Sequence, residues 1–343
     1  MSTPQLGFFT RVLDDAPPRE RYRLALEQIR RAEDLGYDSA WVAQHHFDGA
    51  EGGLPAPLVF LSQAAARTER VRLGTGVVTL SLEDPVRVAE DAAVLDLLSG
   101  GRLELGISSG GTPSAFPAFG VEFERRREVF ARKLDVLRAA LAGEPFGDTP
   151  ARPYPARPEL LDRLWFATFS APLAETAGRL GGGLLLSRTQ PPPEDAPEAR
   201  LWDIQHPIID AYLDALPAGA RPRVSVARTL FVADDREEAL RLAEHGYRSG
   251  SSFARSILGD AVDTLPLEEL LAVFDAHVGT PEDVLESLSR DTALPRATHL
   301  SFQVHSVDPP HEHILRSIEL IATRVAPELG WKPGAHTAPA DPS

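Results

Sequence analysis

Two adjacent histidines, His45 and His46, are the residues of this sequence best suited to chemistry. They end a short apolar run, WVAQHHF at 41–47, and precede the acidic, glycine-containing stretch DGAEGG at 48–53. Imidazole is the one side chain whose unperturbed pKa lies near neutrality, so the pair could exchange protons with a substrate or bind a metal ion. The two residues could equally be loop histidines with a structural role.

A metal site would need further His, Asp or Glu ligands in compatible positions. Asp48 and Glu51 are near in sequence, and four more histidines lie between 299 and 313. None of them forms an H-x-x-x-H or H-E-x-x-H helical pattern. We therefore predict no metal ligands, with a metal-dependent hydrolase as a remaining alternative.

Composition excludes several classes of function. The 343 residues are 43% hydrophobic and carry a formal charge of −15, which disfavours binding to nucleic acid or anionic membrane. The absence of cysteine removes disulfides, thiolate nucleophiles and Cys-ligated metal centres. No signal-peptide pattern and no apolar run of about 20 residues is visible, so a cytoplasmic protein is expected.

Apolar runs of strand length alternate with helical patterns along the chain, which indicates βα units and a parallel sheet. The predicted strands are 5–10, 38–44, 71–79, 102–108, 164–169, 183–189, 223–232 and 298–304. The predicted helices are 18–35, 56–69, 85–98, 124–142, 171–180, 203–216, 235–256, 281–290 and 311–327.

Eight strands, each followed by a helix, predict an α/β fold of the (β/α)8 TIM barrel type with loop insertions. A doubly wound open sheet is the main competitor, but no G-x-G-x-x-G follows the first strand. The proline-rich segments 143–163 and 190–202 are predicted loops. We expect one barrel domain over 1–331 and a disordered tail over 332–343.

Small polar residues end the fourth and fifth predicted strands. In such a barrel the carboxyl ends of the strands form the active site, so Ser108, Ser109 and Gly110 should meet Ser170 there. Ser170 would cap a short helix whose free N–H groups attract anions, which suggests a phosphate site. An ordinary tight turn between strand and helix is the alternative interpretation of the glycine-serine loop.

Three charged residues are predicted to have structural roles. Arg228 lies inside an apolar strand and must be paired, most plausibly with a carboxylate in the barrel. Asp91 and Asp96, in VAEDAAVLDLLSGGR, look like helix and turn supports.

Long ordered stretches resemble the bacterial luciferase-like flavin-dependent monooxygenases, a family of (β/α)8 barrels. These stretches are GYDSAWVAQHHF at 36–47, VRLGTGVVTLSLEDPVRVAEDAAVLDLLSGGRLELGIS at 71–108, Ser170-Ala171 before a helix, and GTPEDVLESL at 279–288. The resemblance implies that His45 lies beside the flavin as an acid/base or hydrogen-bonding group. It also implies a non-proline cis peptide at Gly76-Val77 beneath the flavin ring.

The same resemblance implies the partners of the reaction. The cofactor would be reduced FMN, which would react with O2 to oxidise a small organic substrate in a dry pocket. No nucleotide-binding domain is evident, so a separate NAD(P)H:flavin reductase would supply the FMN. A homodimer formed through helices near the second and third strands is the expectation.

Two departures from the family pattern concern the flavin phosphate. Ser108 and Ser109 stand where luciferases have a cysteine and a phosphate-binding arginine, and Phe169 replaces a frequent acidic residue. We expect Arg188 to replace the missing arginine, because a guanidinium can bind phosphate bidentately, with Arg125–Arg127 as the second choice. These departures leave an F420-dependent oxidoreductase and a non-catalytic flavin-binding protein as alternatives.

Overall fold

The computed structural model describes residues 3–196, 198–249, 252–304 and 309–334. Its strands are Gln5–Thr10 (β1), Ser39–Val42 (β2), Arg72–Thr75 (β3), Val78–Thr79 (β4), Leu103–Ser108 (β5), Leu164–Ala167 (β6), Gly183–Leu186 (β7), Val224–Val232 (β8), Ala276–Gly279 (β9) and His299–Gln303 (β10). Its α-helices are Pro18–Asp34 (α1), Pro57–Ala65 (α2), Pro85–Leu98 (α3), Arg126–Ala142 (α4), Ala171–Arg179 (α5), Leu201–Asp214 (α6), Arg236–Ser249 (α7), Ser252–Leu258 (α8), Leu267–Val273 (α9), Pro281–Leu288 (α10) and His311–Leu320 (α11).

The strands close into a parallel barrel. They pair in the order β10-β1-β2-β3-β5-β6-β7-β8, and β10 also pairs with β8, which closes the ring. The short β4 pairs with β5 beside β3. The predicted (β/α)8 TIM barrel is therefore confirmed, and its helices surround the sheet.

Helix boundaries follow the capping signals in the sequence. Asp84 accepts hydrogen bonds from the amides of Val86 and Arg87 at the start of α3. Thr280 and Asp283 form a reciprocal capping box at the start of α10. Such caps satisfy amides that have no partner within the helix.

The predicted strand 38–44 is too long, because β2 ends at Val42. Beyond Val42, hydrogen bonds of side chains replace the backbone hydrogen bonds between strands. The Gln44 side chain donates to Glu83 Oε1 at 2.7 Å and accepts from the amide of Thr79 at 2.7 Å. One glutamine therefore fixes the backbone just before the two histidines.

The predicted strand 71–79 is divided into β3 and β4. Between them the peptide bond Gly76-Val77 is cis, as the family resemblance implies. The amide of Gly76 still donates to the carbonyl of Val42 at 2.8 Å, so this segment stays attached to β2.

Some elements were not predicted, or were predicted with other bounds. β9 and α9 have no counterpart in the prediction, because four and seven residues are too few to show a clear period. β9 pairs only with β8, outside the closed ring. The predicted helix 235–256 corresponds to two helices, α7 and α8, and α6 starts inside the predicted loop 190–202.

The main hydrophobic cluster includes residues from Leu6 to Trp331. Inside the barrel, Trp41 and Trp165 meet edge to face with ring centroids 5.5 Å apart. The indole of Trp165 donates to Glu104 Oε2 at 2.6 Å. These side chains fill the barrel interior beneath the cavity that Trp41 lines.

Of the predicted tail 332–343, positions 335–343 lie outside the described residues. No helix among the described parts of the chain is both long and apolar enough to cross a bilayer.

Candidate active site

A cavity of about 800 Å³ lies at the carboxyl ends of the barrel strands. This size is in the range of small-molecule and cofactor sites. Its walls bring together all the first-choice residues that the sequence predicts for catalysis or cofactor binding: His45, Gly76, Val77, Ser108, Ser109, Gly110, Ser170 and Arg188.

The middle of the cavity is apolar. Phe9, Trp41, Gly76, Val77 and Leu185 contribute to this part of the wall. A flat, largely apolar ring system can pack here without leaving polar groups unpaired.

Burial and three charged side chains determine the protonation state of His45. Its imidazole is 21% exposed, and its Nδ1 lies 3.8 Å from Glu51 Oε2. Burial lowers the pKa of His45, and the nearby guanidinium groups of Arg11 and Arg188 lower it further, whereas Glu51 opposes them. The imidazole is therefore neutral at neutral pH.

His46 has different surroundings from its neighbour. Its ring packs edge-on against Phe119, with centroids 4.8 Å apart, and Phe47 packs on both rings. His46 Nε2 is buried without a hydrogen-bond partner. No group of three His, Asp or Glu side chains among the described residues is arranged to hold a metal ion.

The loop after β5 lies tightly against the cavity wall. Ser108 Oγ accepts from the amide of Gly110 at 3.1 Å, and Gly110 adopts a φ of 86°. A Cβ added to Gly110 would lie 2.6 Å from Thr79 Cγ2 and 2.9 Å from Phe116 Cζ. Only glycine fits this position, so the loop backbone can approach a ligand closely.

Ser170 lies at the N-cap position of α5, but the predicted side-chain cap is wrong. Its side chain makes no capping hydrogen bond. Instead Ser170 Oγ lies 3.2 Å from Thr168 Oγ1, which also accepts from the Ser170 amide. The first-turn amides of Ala171 and Leu173 thus have no side-chain cap and remain available to an anion.

Arg188, the first predicted phosphate ligand, lies on the β8 and β10 side of the cavity. It is 5% exposed, and its Nε donates to Gln303 Oε1 at 3.1 Å. Its Nη1 lies 3.4 Å from Thr229 Oγ1. These contacts and its influence on His45 place Arg188 at the histidine end of the cavity.

Arg126 and Arg127, at the start of α4, also line the cavity. The Arg126 guanidinium lies 3.8 Å from the centroid of the Phe123 ring, and Phe123 packs on Phe116, which contacts Gly110. Among the described residues, neither arginine has an ion-pair partner, and burial lowers the pKa of Arg126.

Arg125, the third member of this basic run, points elsewhere. It forms an exposed ion pair with Glu128 at 3.0 Å and does not line the cavity.

The charge of the cavity is opposite to that of the whole chain. Its described lining includes the side chains of Arg11, Arg126, Arg127 and Arg188 but no Asp or Glu. The formal charge of the chain is −15. Focused positive charge in a cleft attracts anionic ligands. Arg11 was not predicted as a site residue, although it is the first charged residue after β1.

Comparison with known proteins decides the family. The model of the luciferase-like monooxygenase family matches residues 6–293. The chain belongs to the luciferase-like monooxygenases. The predicted class, a flavin-dependent monooxygenase, is thereby confirmed at the level of the family.

Two relatives show the range of this family. 4-Hydroxyprotoasukamycin monooxygenase of Streptomyces nodosus subsp. asukaensis is 31% identical over 322 residues, which cover 89% of this chain and 86% of the relative. An F420-dependent glucose-6-phosphate dehydrogenase of Amycolatopsis mediterranei is 31% identical over 173 residues, 47% of this chain and 52% of the relative.

Solved structures share the fold of this luciferase-like chain. The monooxygenase RslO1 of Streptomyces bottropensis superposes with a TM-score of 0.77 at 26% identity and covers 94% of this chain and 99% of its own. The oxygenating constituent of 3,6-diketocamphane monooxygenase of Pseudomonas putida, solved in complex with FMN, has a TM-score of 0.75 at 18% identity, with 96% and 100% coverage.

Proposed function

We propose that the cavity binds FMN and that the chain uses reduced FMN and O2 to oxidise a small apolar organic compound. The observation that carries this proposal is the polarity of the cavity. An anion-binding end formed by Arg126, Arg127 and the start of α5 is joined by an apolar middle to a neutral imidazole, that of His45.

The phosphate would lie at the arginine end. Two guanidinium groups without a described carboxylate partner can each donate charge-assisted hydrogen bonds, and the first-turn amides of α5 add donors. The Ser108 and Ser109 hydroxyl groups line the same part of the cavity. This arrangement favours the second of the two predicted anchors, the helix arginines, over Arg188.

The isoalloxazine ring would pack on the apolar wall that includes Trp41, Gly76 and Val77. Bound in this way, reduced flavin would supply the electrons that activate O2. The apolar wall excludes water from the ring. His45 would hold or move a proton at its Nε2, where no described residue donates or accepts a hydrogen bond.

Exposed aromatic residues at the cavity suggest the class of substrate. Phe169 lines the cavity and is 52% exposed. Phe47 and Phe119, which are 74% and 37% exposed, pack on His46, another lining residue. Exposed aromatic side chains around a cavity are typical of sites that admit apolar ligands. The similarity to a 4-hydroxyprotoasukamycin monooxygenase supports an organic substrate.

A separate NAD(P)H:flavin reductase would supply the reduced FMN. The similarity to an F420-dependent dehydrogenase over 47% of the chain keeps hydride transfer from F420 as the alternative activity.

Isotope labelling separates the two activities. The protein would be incubated with FMN, a flavin reductase, NADH, ¹⁸O2 and a panel of terpenes and phenolic polyketides. We expect mass spectrometry to detect a product that has gained one ¹⁸O atom. Substrate oxidation without ¹⁸O, dependent on F420 and unaffected by FMN, would establish the alternative.

A further inference from the structure

We propose that Glu51 is a positioning residue that holds the proton of neutral His45 on Nδ1 and directs the Nε2 lone pair into the cavity. The consequence for turnover rests on the proposed function. The geometry of the two side chains does not.

Glu51 belongs to a short strap, residues 48–53, that is fastened to the barrel on two sides. The amide of Gly53 donates to the carbonyl of Arg11 at 3.0 Å. Arg21 Nη1 donates to the carbonyl of Gly49 at 2.5 Å. The strap is therefore tied to the segment after β1 and to α1, and its position over His45 is fixed by both contacts.

The strap backbone packs directly on the imidazole ring. A Cβ added to Gly52 would lie 2.5 Å from His45 Cδ2, 2.7 Å from Cγ and 2.8 Å from Cβ. Real Cβ atoms do not approach other heavy atoms so closely, so any other residue at 52 must displace the ring or the strap. Gly52 thus sets the plane of the imidazole, and Glu51 lies at its edge.

The carboxylate of Glu51 faces one ring nitrogen only. Its Oε2 lies 3.8 Å from His45 Nδ1, which is within ion-pair range but longer than a hydrogen bond. Among the described residues, His45 is the only basic group within ion-pair distance of Glu51. His45 and then Arg11 lower the pKa of Glu51, so it is a carboxylate at neutral pH.

The other charges around His45 come from two different loops. Arg11 follows β1 and Arg188 follows β7, and both disfavour a positive imidazole. A neutral imidazole carries one N–H, and a negative charge beside one nitrogen favours the tautomer with the hydrogen on that side. The carboxylate of Glu51 lies beside Nδ1, so it favours an N–H there and leaves the lone pair on Nε2.

This arrangement makes His45 a proton acceptor in its resting state. When Nε2 takes a proton, the imidazolium gains an ion pair with Glu51, which offsets part of the repulsion from Arg11 and Arg188. Without Glu51, the imidazole would lose its preference for a proton on Nδ1. It would also lose the ion pair that stabilises its protonated form.

The first test uses ¹⁵N NMR of the full chain labelled at its ten histidines, with His45→Asn to identify the His45 signals. We expect wild-type His45 to carry its proton on Nδ1 at neutral pH. Glu51→Ala should shift the proton towards Nε2, and both Glu51→Ala and Glu51→Gln should lower the pKa of His45. A wild-type proton on Nε2, or a His45 pKa unchanged in both variants, would overturn the proposal.

The second test measures turnover against pH with FMN, the reductase and an accepted substrate. Glu51→Gln should lower kcat about tenfold and move the acid limb of kcat/KM to lower pH. Glu51→Asp should recover part of the loss. Asp15→Asn makes the same change of charge at an exposed position after β1 and should leave both quantities unchanged. An acid limb that stays in place in Glu51→Gln contradicts the assignment.

The two tests fail independently. If the chain does not turn over with FMN, the proposed function fails while the NMR result still decides the role of Glu51. If FMN turnover is present but the His45 signals are unchanged in the Glu51 variants, only the positioning role fails.

Discussion

At the scale of single residues, burial and then the guanidinium groups of Arg11 and Arg188 keep the imidazole of His45 neutral, although Glu51 opposes them. His45 was found from its place at the end of an apolar strand and from the family resemblance. Its neighbours Arg11 and Arg188 come from loops after other strands, and the arrangement of these loops is a tertiary property that spacing does not encode. Arg126 and Arg127 were ranked second because a basic run on a helix is usually a solvated face, and only their place in the cavity lining distinguishes them from Arg125.

His45→Ala should lose monooxygenase turnover by a factor of about 10² to 10⁴, because proton transfer by a positioned group contributes that much. Its affinity for FMN should remain close to that of the wild type, since the proposed phosphate site does not include His45. Steady-state kinetics and FMN titration measure the two effects. His313→Ala, away from the cavity lining, is the matched control. Wild-type turnover in His45→Ala would remove this residue from the mechanism.

Arg126→Ala and Arg127→Ala should each weaken FMN binding roughly tenfold, in line with the loss of a hydrogen bond to a charged group. Riboflavin has the same ring without the phosphate, so its affinity should hardly change. Fluorescence titration with both flavins gives the ratio of affinities. Arg125→Ala, whose side chain pairs with Glu128, should keep the wild-type ratio. A loss shared equally by riboflavin would mean that these arginines only support the fold.

At the scale of elements, periodicity and caps predicted the eight barrel strands and most of the helices. Strand ends were less predictable, because side chains such as Gln44 take over the hydrogen bonding where β2 stops. The structural roles foreseen for Arg228 and Asp96 are confirmed by their contacts. Arg228 pairs at 2.5 Å with Asp291, which lies after α10 and outside the barrel interior where the partner was expected.

Asp96 joins α3 to the segment before β6. It is fully buried and pairs with Arg163 at 2.5 Å and with Arg157 at 2.9 Å. Asp96→Ala leaves two cations without their partner and should lower the free energy of unfolding by about 3–5 kcal/mol. Asp91→Ala breaks only an exposed pair with Arg87 and should cost less than about 1 kcal/mol. Denaturant unfolding measures both, and equal losses would contradict this difference.

The same ion pairs predict a dependence on pH. Burial opposes ionisation of Asp96, but Arg163 and Arg157 outweigh it and hold its pKa below the usual value. A depressed folded-state pKa contributes stability above the unfolded-state pKa, and that contribution is lost as the pH falls through the folded value. The difference in unfolding free energy between wild type and Asp96→Ala should therefore shrink in acid. A constant difference down to the folded-state pKa would exclude this linkage.

At the scale of the whole molecule, the net charge of the chain is opposite in sign to the charge of the cavity lining. A chain of formal charge −15 has a cavity whose described lining contains arginine and no carboxylate. Total charge cannot reveal such an arrangement, because it depends on which residues the barrel brings to one rim. The surface likewise has a local feature that the sequence alone did not show, an apolar stripe on α3.

This stripe supports the proposed homodimer. Val94, Leu97 and Leu98 are spaced i, i+3 and i+4, so they share one face of α3, and they are 45%, 51% and 70% exposed. We expect light scattering to give a dimer for the wild type and a monomer for Leu98→Asp. Val273→Asp introduces the same charge at a 46% exposed position on α9 and should remain dimeric. A monomeric wild type, or a dimer that tolerates Leu98→Asp, would contradict an interface at this stripe.

The crystal structure of the FMN complex tests the central claim most directly. We predict that the phosphate contacts Arg126 or Arg127 together with the first amides of α5, and that the ring lies against Gly76-Val77 with His45 at its edge. A phosphate bound to Arg188 at the histidine end, or a flavin outside this cavity, would contradict the account.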